Sequence, residues 1–217
     1  MARITVLGGT GYAGAAVVAE ARKRGHEVTS VSRSAPESPV DGVDYVQASA
    51  LDAETLDRVL DRRDVVVSAL SPRGDMSGRL EGVVTDLVSR LAGTPTRLGY
   101  VGGVSSLLTE EGGPRLWDVS KDHLPDEVRP EIETGLNALT LLEESPEALD
   151  WFYVSPPQDF GSWLGTPSTG RYTLGGAVLL RNADGTSTIS ADDLALAILD
   201  EVETPAHHRK RFTAIGG

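Results

Sequence analysis

The chain has 217 residues, a formal charge of −12, 40% hydrophobic and 24% charged residues, proportions that suit one soluble α/β domain spanning 1–217. Its acidic residues are spread along the chain and repel polyanions, and the single basic run, His207-His208-Arg209-Lys210-Arg211, is too short for a nucleic-acid footprint. The lack of cysteine excludes disulfides, thiolate nucleophiles and Cys-type metal sites. No apolar run approaches the ~20 residues of a membrane span, and the first strand begins at once. The expectation is a cytoplasmic protein, monomer or homodimer, with no leader, membrane or nucleic-acid partner.

Ile4, Val6 and Leu7 read as a short buried strand. Gly8-Gly9-Thr10-Gly11-Tyr12-Ala13-Gly14 follows as a glycine-rich turn, and Ala15 to Ala21 as a helix rich in small residues. The spacing fits both Gly9-x-Gly11-x-x-Gly14, the general dinucleotide fingerprint, and Gly8-x-x-Gly11-x-x-Gly14, a looser form. Such a turn can also join a strand to a helix with no ligand. The preceding strand and following helix favour a dinucleotide, its pyrophosphate held by free N–H groups at the helix start.

Gly25 stands where a helix C-cap glycine belongs, and His26 to Val31 forms a second strand. Beyond it, where an NAD-binding fold usually carries a carboxylate, stands Ser32-Arg33-Ser34. A guanidinium there suits a 2′-phosphate, so Arg33 favours NADP(H) over NAD(H); a solvated arginine at a strand end is the plainer alternative. Val43 to Gln47 is a third strand, and Leu51-Asp52 precedes a short helix. Asp52 suits either a helix cap or the adenine amino group.

Asp64 to Leu70 is a near-continuous apolar run, as in a parallel strand covered on both faces. Ala69, Leu70 and Ser71 end it, near the expected nicotinamide ribose. Ser77 suits the cap of the next helix, whose Val83, Val84, Leu87, Val88 and Leu91 form a core stripe. Leu98 to Val101 is the fifth strand and leads into Gly103, Ser105 and Ser106. Leu108 to Arg129 has no periodic face and reads as a lid or binding loop around His123. A helix from Pro130 to Glu144 turns Ile132, Leu136, Leu139 and Leu142 inward, and Asp150 to Val154 is the sixth strand, ending at Ser155-Pro156-Pro157.

Residues 157–180 then read as a small substrate-side lobe, with a hairpin over Gly170 to Leu180. Ser190-Ala191-Asp192-Asp193 opens a last helix as a capping box, and Arg211 to Ala214 closes the chain as an edge strand. The alternation gives a doubly wound parallel sheet, a Rossmann fold with a small C-terminal capping lobe.

Tyrosine-dependent dehydrogenases on such a sheet need Tyr and Lys four apart on one helix. The tyrosines are Tyr12, Tyr45, Tyr100, Tyr153 and Tyr172, and the lysines Lys23, Lys121 and Lys210, so no pair has that spacing. Hydride transfer to a flavin or quinone needs no strong protein acid and remains open. Ser105 and Ser106 are the candidate catalytic residues, for hydrogen bonds to nicotinamide or acceptor; turn hydroxyls that satisfy local backbone are the alternative. Candidate cofactor-binding residues are Gly8, Thr10, Gly11, Tyr12, Ala13, Gly14, Arg33, Leu51, Asp52, Ala69, Leu70, Ser71, Gly103, Ser155, Pro156 and Pro157. Phe160, Trp163 and Tyr172 are candidates for an aromatic acceptor wall, and no metal site is expected.

Gly8 to Gly14, Val67-Ser68-Ala69-Leu70, Gly102 to Leu107, Asp150 to Pro156 and Thr169 to Gly176 resemble the bacterial NAD(P)H-binding, NADH–flavin reductase-like family. Ile189 to Ala195 and Arg211-Phe212-Thr213 are similar to it too. Its members are atypical short-chain dehydrogenases related to biliverdin reductase B and the NmrA-like regulators. The resemblance implies strand order 3-2-1-4-5-6-7 and flavin reductase activity, with flavin a substrate rather than a resident cofactor. It matches Ser106 to the family serine; Ser105 stands where the family usually has glycine. A non-catalytic, NmrA-like NADP(H) sensor acting through a protein partner is the second reading, and a dehydratase or epimerase the third.

Overall fold

The computed structural model describes residues 1–217, the side chain of Asp75 excepted. Its strands are β1 (Arg3–Leu7), β2 (Glu27–Ser32), β3 (Val43–Gln47), β4 (Val65–Ser68), β5 (Arg97–Val101), β6 (Trp151–Ser155), β7 (Tyr172–Gly175) and β8 (Lys210–Gly216). They form one sheet in the order β3-β2-β1-β4-β5-β6-β8-β7. Every pairing is parallel except β7 with β8. The helices are α1 (Tyr12–Lys23), α2 (Ala53–Leu60), α3 (Leu80–Leu91), α4 (Leu116–Ser120), α5 (Arg129–Glu143) and α6 (Ala191–Glu203). Among the described residues, no helix is long and apolar enough to cross a membrane.

Strand alternation divides the core into two layers. Ile4, Val6, Val65, Val67, Phe152, Val154 and Phe212 pack on α1 and α6, against Val17, Val18, Leu194 and Ile198. Leu7, Val66, Leu98, Tyr100 and Tyr153 face α2, α3 and α5, against Leu56, Val84, Leu87 and Leu142. Helices on both faces leave the carboxyl ends of β1, β4, β5 and β6 as a shared open rim.

Local chemistry fixes several ends as the sequence predicts. Gly25, at φ +83°, donates its amide to Arg22 O, while the His26 amide reaches Ala21 O, the paired bonds of a glycine-terminated helix. The Asp52 carboxylate caps α2 through the Thr55 amide at 3.3 Å and hydroxyl at 2.6 Å. Ser190 Oγ accepts the Asp193 amide at 3.0 Å. The expected capping box is only half formed, because the Asp193 carboxylate turns to residues 168–170. It accepts the Ser168 hydroxyl and the Thr169 and Gly170 amides at 2.7–2.9 Å.

Four expectations are corrected. The strand from Arg211 to Ala214 is not an edge: β8 lies between β6 and β7. The hairpin over Gly170 to Leu180 does not form, because β7 finds free backbone groups on the outer side of β8. Residues 177–179 pair instead with Leu108, whose amide donates to Ala177 O and whose carbonyl accepts from Leu179. Ser77 does not cap α3, which starts three residues later with Arg79 as its N-cap; Ser77 instead ends a 3₁₀ turn over Gly74–Met76. The 108–129 segment is not wholly irregular, since it contains α4 and a 3₁₀ turn at Lys121–His123.

Candidate active site

The glycine turn is dictated by close contacts on three sides, two with backbone and one with side chains. Gly8, at φ +81°, has room for no Cβ, which would lie 2.7 Å from the Ala69 carbonyl oxygen at the end of β4. A Cβ on Gly9 would meet Ser30 Oγ and, at 3.1 Å, Val18. One on Gly14 would press on the Gly8 carbonyl. Gly8 and Gly14 thus let β1, β4 and α1 converge, and a 3.0 Å bond from the Gly11 amide to Gly8 O closes the turn. Gly11 then caps α1, whose first turn holds no acidic side chain. The Tyr12, Ala13 and Gly14 amides have no preceding helical carbonyl to bind, so the positive end of α1 stands ready for an anion.

In front of this turn lies a cavity of about 540 Å³, the size of a small-molecule site. Gly11, Tyr12 and Ala13 form one end, with Ala69, Leu70, Ser71 and Arg73 beyond β4. Gly103, Ser105 and Ser106 line it beyond β5, and Pro156, Pro157 and Gln158 beyond β6. Tyr100, Tyr153 and Leu80 line its depth, while Val128, Glu131, Ile132, Gly135 and Leu136 make an α5 wall. Phe160 and Trp163 complete the rim; Phe160 packs on Tyr12 with ring centroids 5.1 Å apart.

The predicted residues are therefore only partly brought together. Gly11, Tyr12, Ala13, Ala69, Leu70, Ser71, Gly103, Ser105, Ser106, Pro156 and Pro157 line the cavity. Gly8 and Gly14 shape it from behind. Ser155 is fully buried outside the lining, its hydroxyl 3.2 Å from Ser106 Oγ. Thr10 borders a second cavity of about 110 Å³, with Ser30, Ser32, Ser34 and Tyr45. Its amide donates to Ser32 Oγ at 3.0 Å. Arg33 follows β2 at an exposed position beside that small cavity, its carbonyl held by Gln47 at 3.0 Å. Leu51 and Asp52 line neither cavity, and Asp52 serves α2 as its cap.

The two serines divide their roles by geometry. Ser106 is 2% exposed, and its hydroxyl donates to Gly103 O at 3.1 Å beside Ser155. Its carbonyl accepts from Arg211. Ser106 thus secures the loop after β5, whereas no intramolecular hydrogen bond among the described residues engages the Ser105 hydroxyl. Tyr172 lies outside the aromatic wall, since its hydroxyl bonds Asp200 on α6. His123 does not line the cavity either.

The sequence reading passed over Tyr100 and Tyr153, which alternate with core residues in their strands. Their rings stack at 5.4 Å and 9°. Burial pushes both phenols above their ordinary value, in Tyr153 against an opposing bond from the Gly103 amide at 3.3 Å. The other ionisable lining groups are Tyr12, Arg73 and Glu131, and the last two pair at 3.2 Å across the mouth. Arg73 also lies 5.9 Å from the Trp163 ring. Among the described residues, no histidine, lysine or unpaired carboxylate lines the cavity, so the commonest general acids and bases are missing from that lining.

Residues 8–205 match the model of a family described as NAD(P)H-binding. The uncharacterized protein YwnB of Bacillus subtilis (strain 168) is 32% identical over 215 residues, 98% of each chain. A crystal structure of a putative NADH-flavin reductase from Streptococcus pneumoniae TIGR4 superposes with a TM-score of 0.87 at 32% identity, covering all of both chains. That of a putative epimerase from Bacteroides thetaiotaomicron gives 0.83 at 31% identity, covering 100% of this chain and 98% of the other.

Proposed function

Because the chain belongs to the NAD(P)H-binding family, we propose that it is a reductase which takes hydride from NADPH and delivers it to a flavin or quinone. The observation that carries this reading is the cavity itself: aromatic and apolar walls beside an anion-ready helix end, with no histidine, lysine or unpaired carboxylate among the described lining residues. Such walls suit an electron-accepting ring whose final proton comes from water. They do not suit alcohol oxidation or epimerisation, which need a positioned base.

The residues present fit a dinucleotide. The Gly8 to Gly14 turn and the α1 amides would hold the pyrophosphate, and Ala69 to Ser71 with Pro156 and Pro157 would flank the nicotinamide. The small cavity, lined by serine hydroxyls with no carboxylate among the described residues, and Arg33 beside it would take the adenosine ribose and a 2′-phosphate. NADPH supplies a hydride when bound. The protein's part is to align the two rings, with Ser105 free to hydrogen-bond the nicotinamide amide or the acceptor, and to exclude water through Phe160 and Trp163.

Steady-state NADPH oxidation with riboflavin, FMN and a simple quinone, beside a calorimetric titration of NADP⁺, tests this. Saturable turnover with at least one acceptor is expected. Tight NADP⁺ binding without turnover would instead favour the NmrA-like sensor, a reading supported by Trp163 and Leu164, 69% and 43% exposed beside the mouth.

A further inference from the structure

We infer that the Tyr100 hydroxyl is the hydrogen-bond donor that anchors a carbonyl oxygen of the acceptor, and that the acceptor is an uncharged quinone-like ring. The inference rests on the reductase reading of the same cavity. Tyr100 lines the cavity, is 2% exposed, and its hydroxyl has no hydrogen-bond partner among the described residues. An unsatisfied buried hydroxyl destabilises the fold, which gives a ligand carbonyl something to repair.

The surroundings hold that donor ready. Stacking on Tyr153 and membership of the same buried cluster as Leu80 fix the ring. The Tyr153 hydroxyl already takes the Gly103 amide, and the Ser106 hydroxyl donates to Gly103 O, so Tyr100 is the phenol with its full capacity left. Burial first, then the neighbouring Tyr153 and Glu81, keeps the phenol protonated and hence a donor. Among the described residues the only cation lining the cavity, Arg73, is engaged by Glu131. A phosphorylated acceptor would bring two negative charges to a chain of charge −12, at a lining that holds no unpaired cation among the described residues. A neutral ring with carbonyl groups meets every wall.

In the reaction, hydride from NADPH and one proton from water convert the quinone to the hydroquinone as NADPH becomes NADP⁺. Tyr100 keeps its own proton throughout; its O–H bond strengthens toward the oxygen on which negative charge develops.

The test is equilibrium binding of 1,4-naphthoquinone and of naphthalene, which lacks the carbonyls, to the NADP⁺-loaded protein, where no hydride can move. The native protein should prefer the quinone about tenfold, the worth of one hydrogen bond. Tyr100→Phe should bind the two alike, take NADP⁺ as before, and melt at the same or a higher temperature. FMN should turn over less efficiently than the quinone in the native protein. Equal quinone affinity in Tyr100→Phe, with turnover intact in both, would overturn the anchoring role and leave the reductase reading standing. A native protein that binds NADP⁺ but neither binds nor reduces the quinone would overturn both.

Discussion

Replacing Gly14 with alanine sets two effects of opposite sign against each other. Alanine gains up to about 1 kcal/mol over glycine in a helix. Its Cβ, however, would lie 2.8 Å from the Gly8 carbonyl carbon, 3.0 Å from Gly9 Cα and closer still to the Gly8 oxygen. All three are backbone atoms of a turn fastened to β2 by the Gly8 amide and closed by the Gly11 amide. No side chain can rotate away, so α1 or the turn must shift. Overpacking of this kind costs about 1–3 kcal/mol or more, and the rigid neighbours place Gly14 at or above the upper end. The net loss is then about 2 kcal/mol, which for a chain of this length lowers Tm by about 4–8 °C. NADP⁺ binding should fall with it, because the displaced amides are those that would face the pyrophosphate. Gly82, exposed in α3 with nothing within 4 Å of an added Cβ, isolates the helix term. Gly82→Ala should raise Tm by about 2–4 °C. Scanning calorimetry of both variants reads the difference, and a Tm gain in Gly14→Ala equal to that in Gly82→Ala would refute the reasoning.

Arg33→Ala should weaken NADPH binding by about 2 kcal/mol and NADH binding little, measured by calorimetry; equal losses would make Arg33 a surface arginine only. Ser105→Ala should lower turnover about tenfold at unchanged Tm. Ser106→Ala should cost about 1 kcal/mol of stability through its lost bond to Gly103 O, and reversal of this pattern would return the chemistry to Ser106. Burial pushes the Asp193 carboxyl up, but the Thr169 and Gly170 amides and the Ser168 and Ser190 hydroxyls outweigh it and hold it below 3.8. Its contribution is therefore complete above about pH 4 and lost as pH falls through the lower folded value. Asp193→Asn should cost about 2–3 kcal/mol at pH 7 and flatten the acid limb of the Tm–pH curve; an unchanged limb would assign that limb to other carboxylates.

The parts of the fold that local chemistry controls were legible in the sequence. The glycine turn, the Gly25 terminus, the Asp52 cap and the continuous run of β4 all reside within a few neighbouring residues. What was missed depends on distant partners. Tyr172 to Gly175 carries strand-forming residues, but only the sheet reveals that β8 offers them an edge. Likewise, Ser105 and Ser106 are indistinguishable as hydroxyls. The 3₁₀ turn at Val104–Ser106 buries one against Ser155 and leaves the other at the cavity. Tyr100 did leave a signal: it stands two residues from Leu98 in a strand, hence on the same face, and a polar tip among core residues invites the question of its partner.

The position of β8 also dictates the order in which the sheet can be assembled during synthesis. β7 pairs with β8 alone, and β8 follows it by some 35 residues. At about 5–20 residues per second, that interval is roughly 2–7 s during which Tyr172 to Gly175 has no strand to join and β6 is the unprotected outer strand. The Asp193 carboxylate holds residues 168–170 through bonds that need nothing from β8. The segment leading into β7 is thus tied to α6 by a side chain as well as to β8 through backbone pairing.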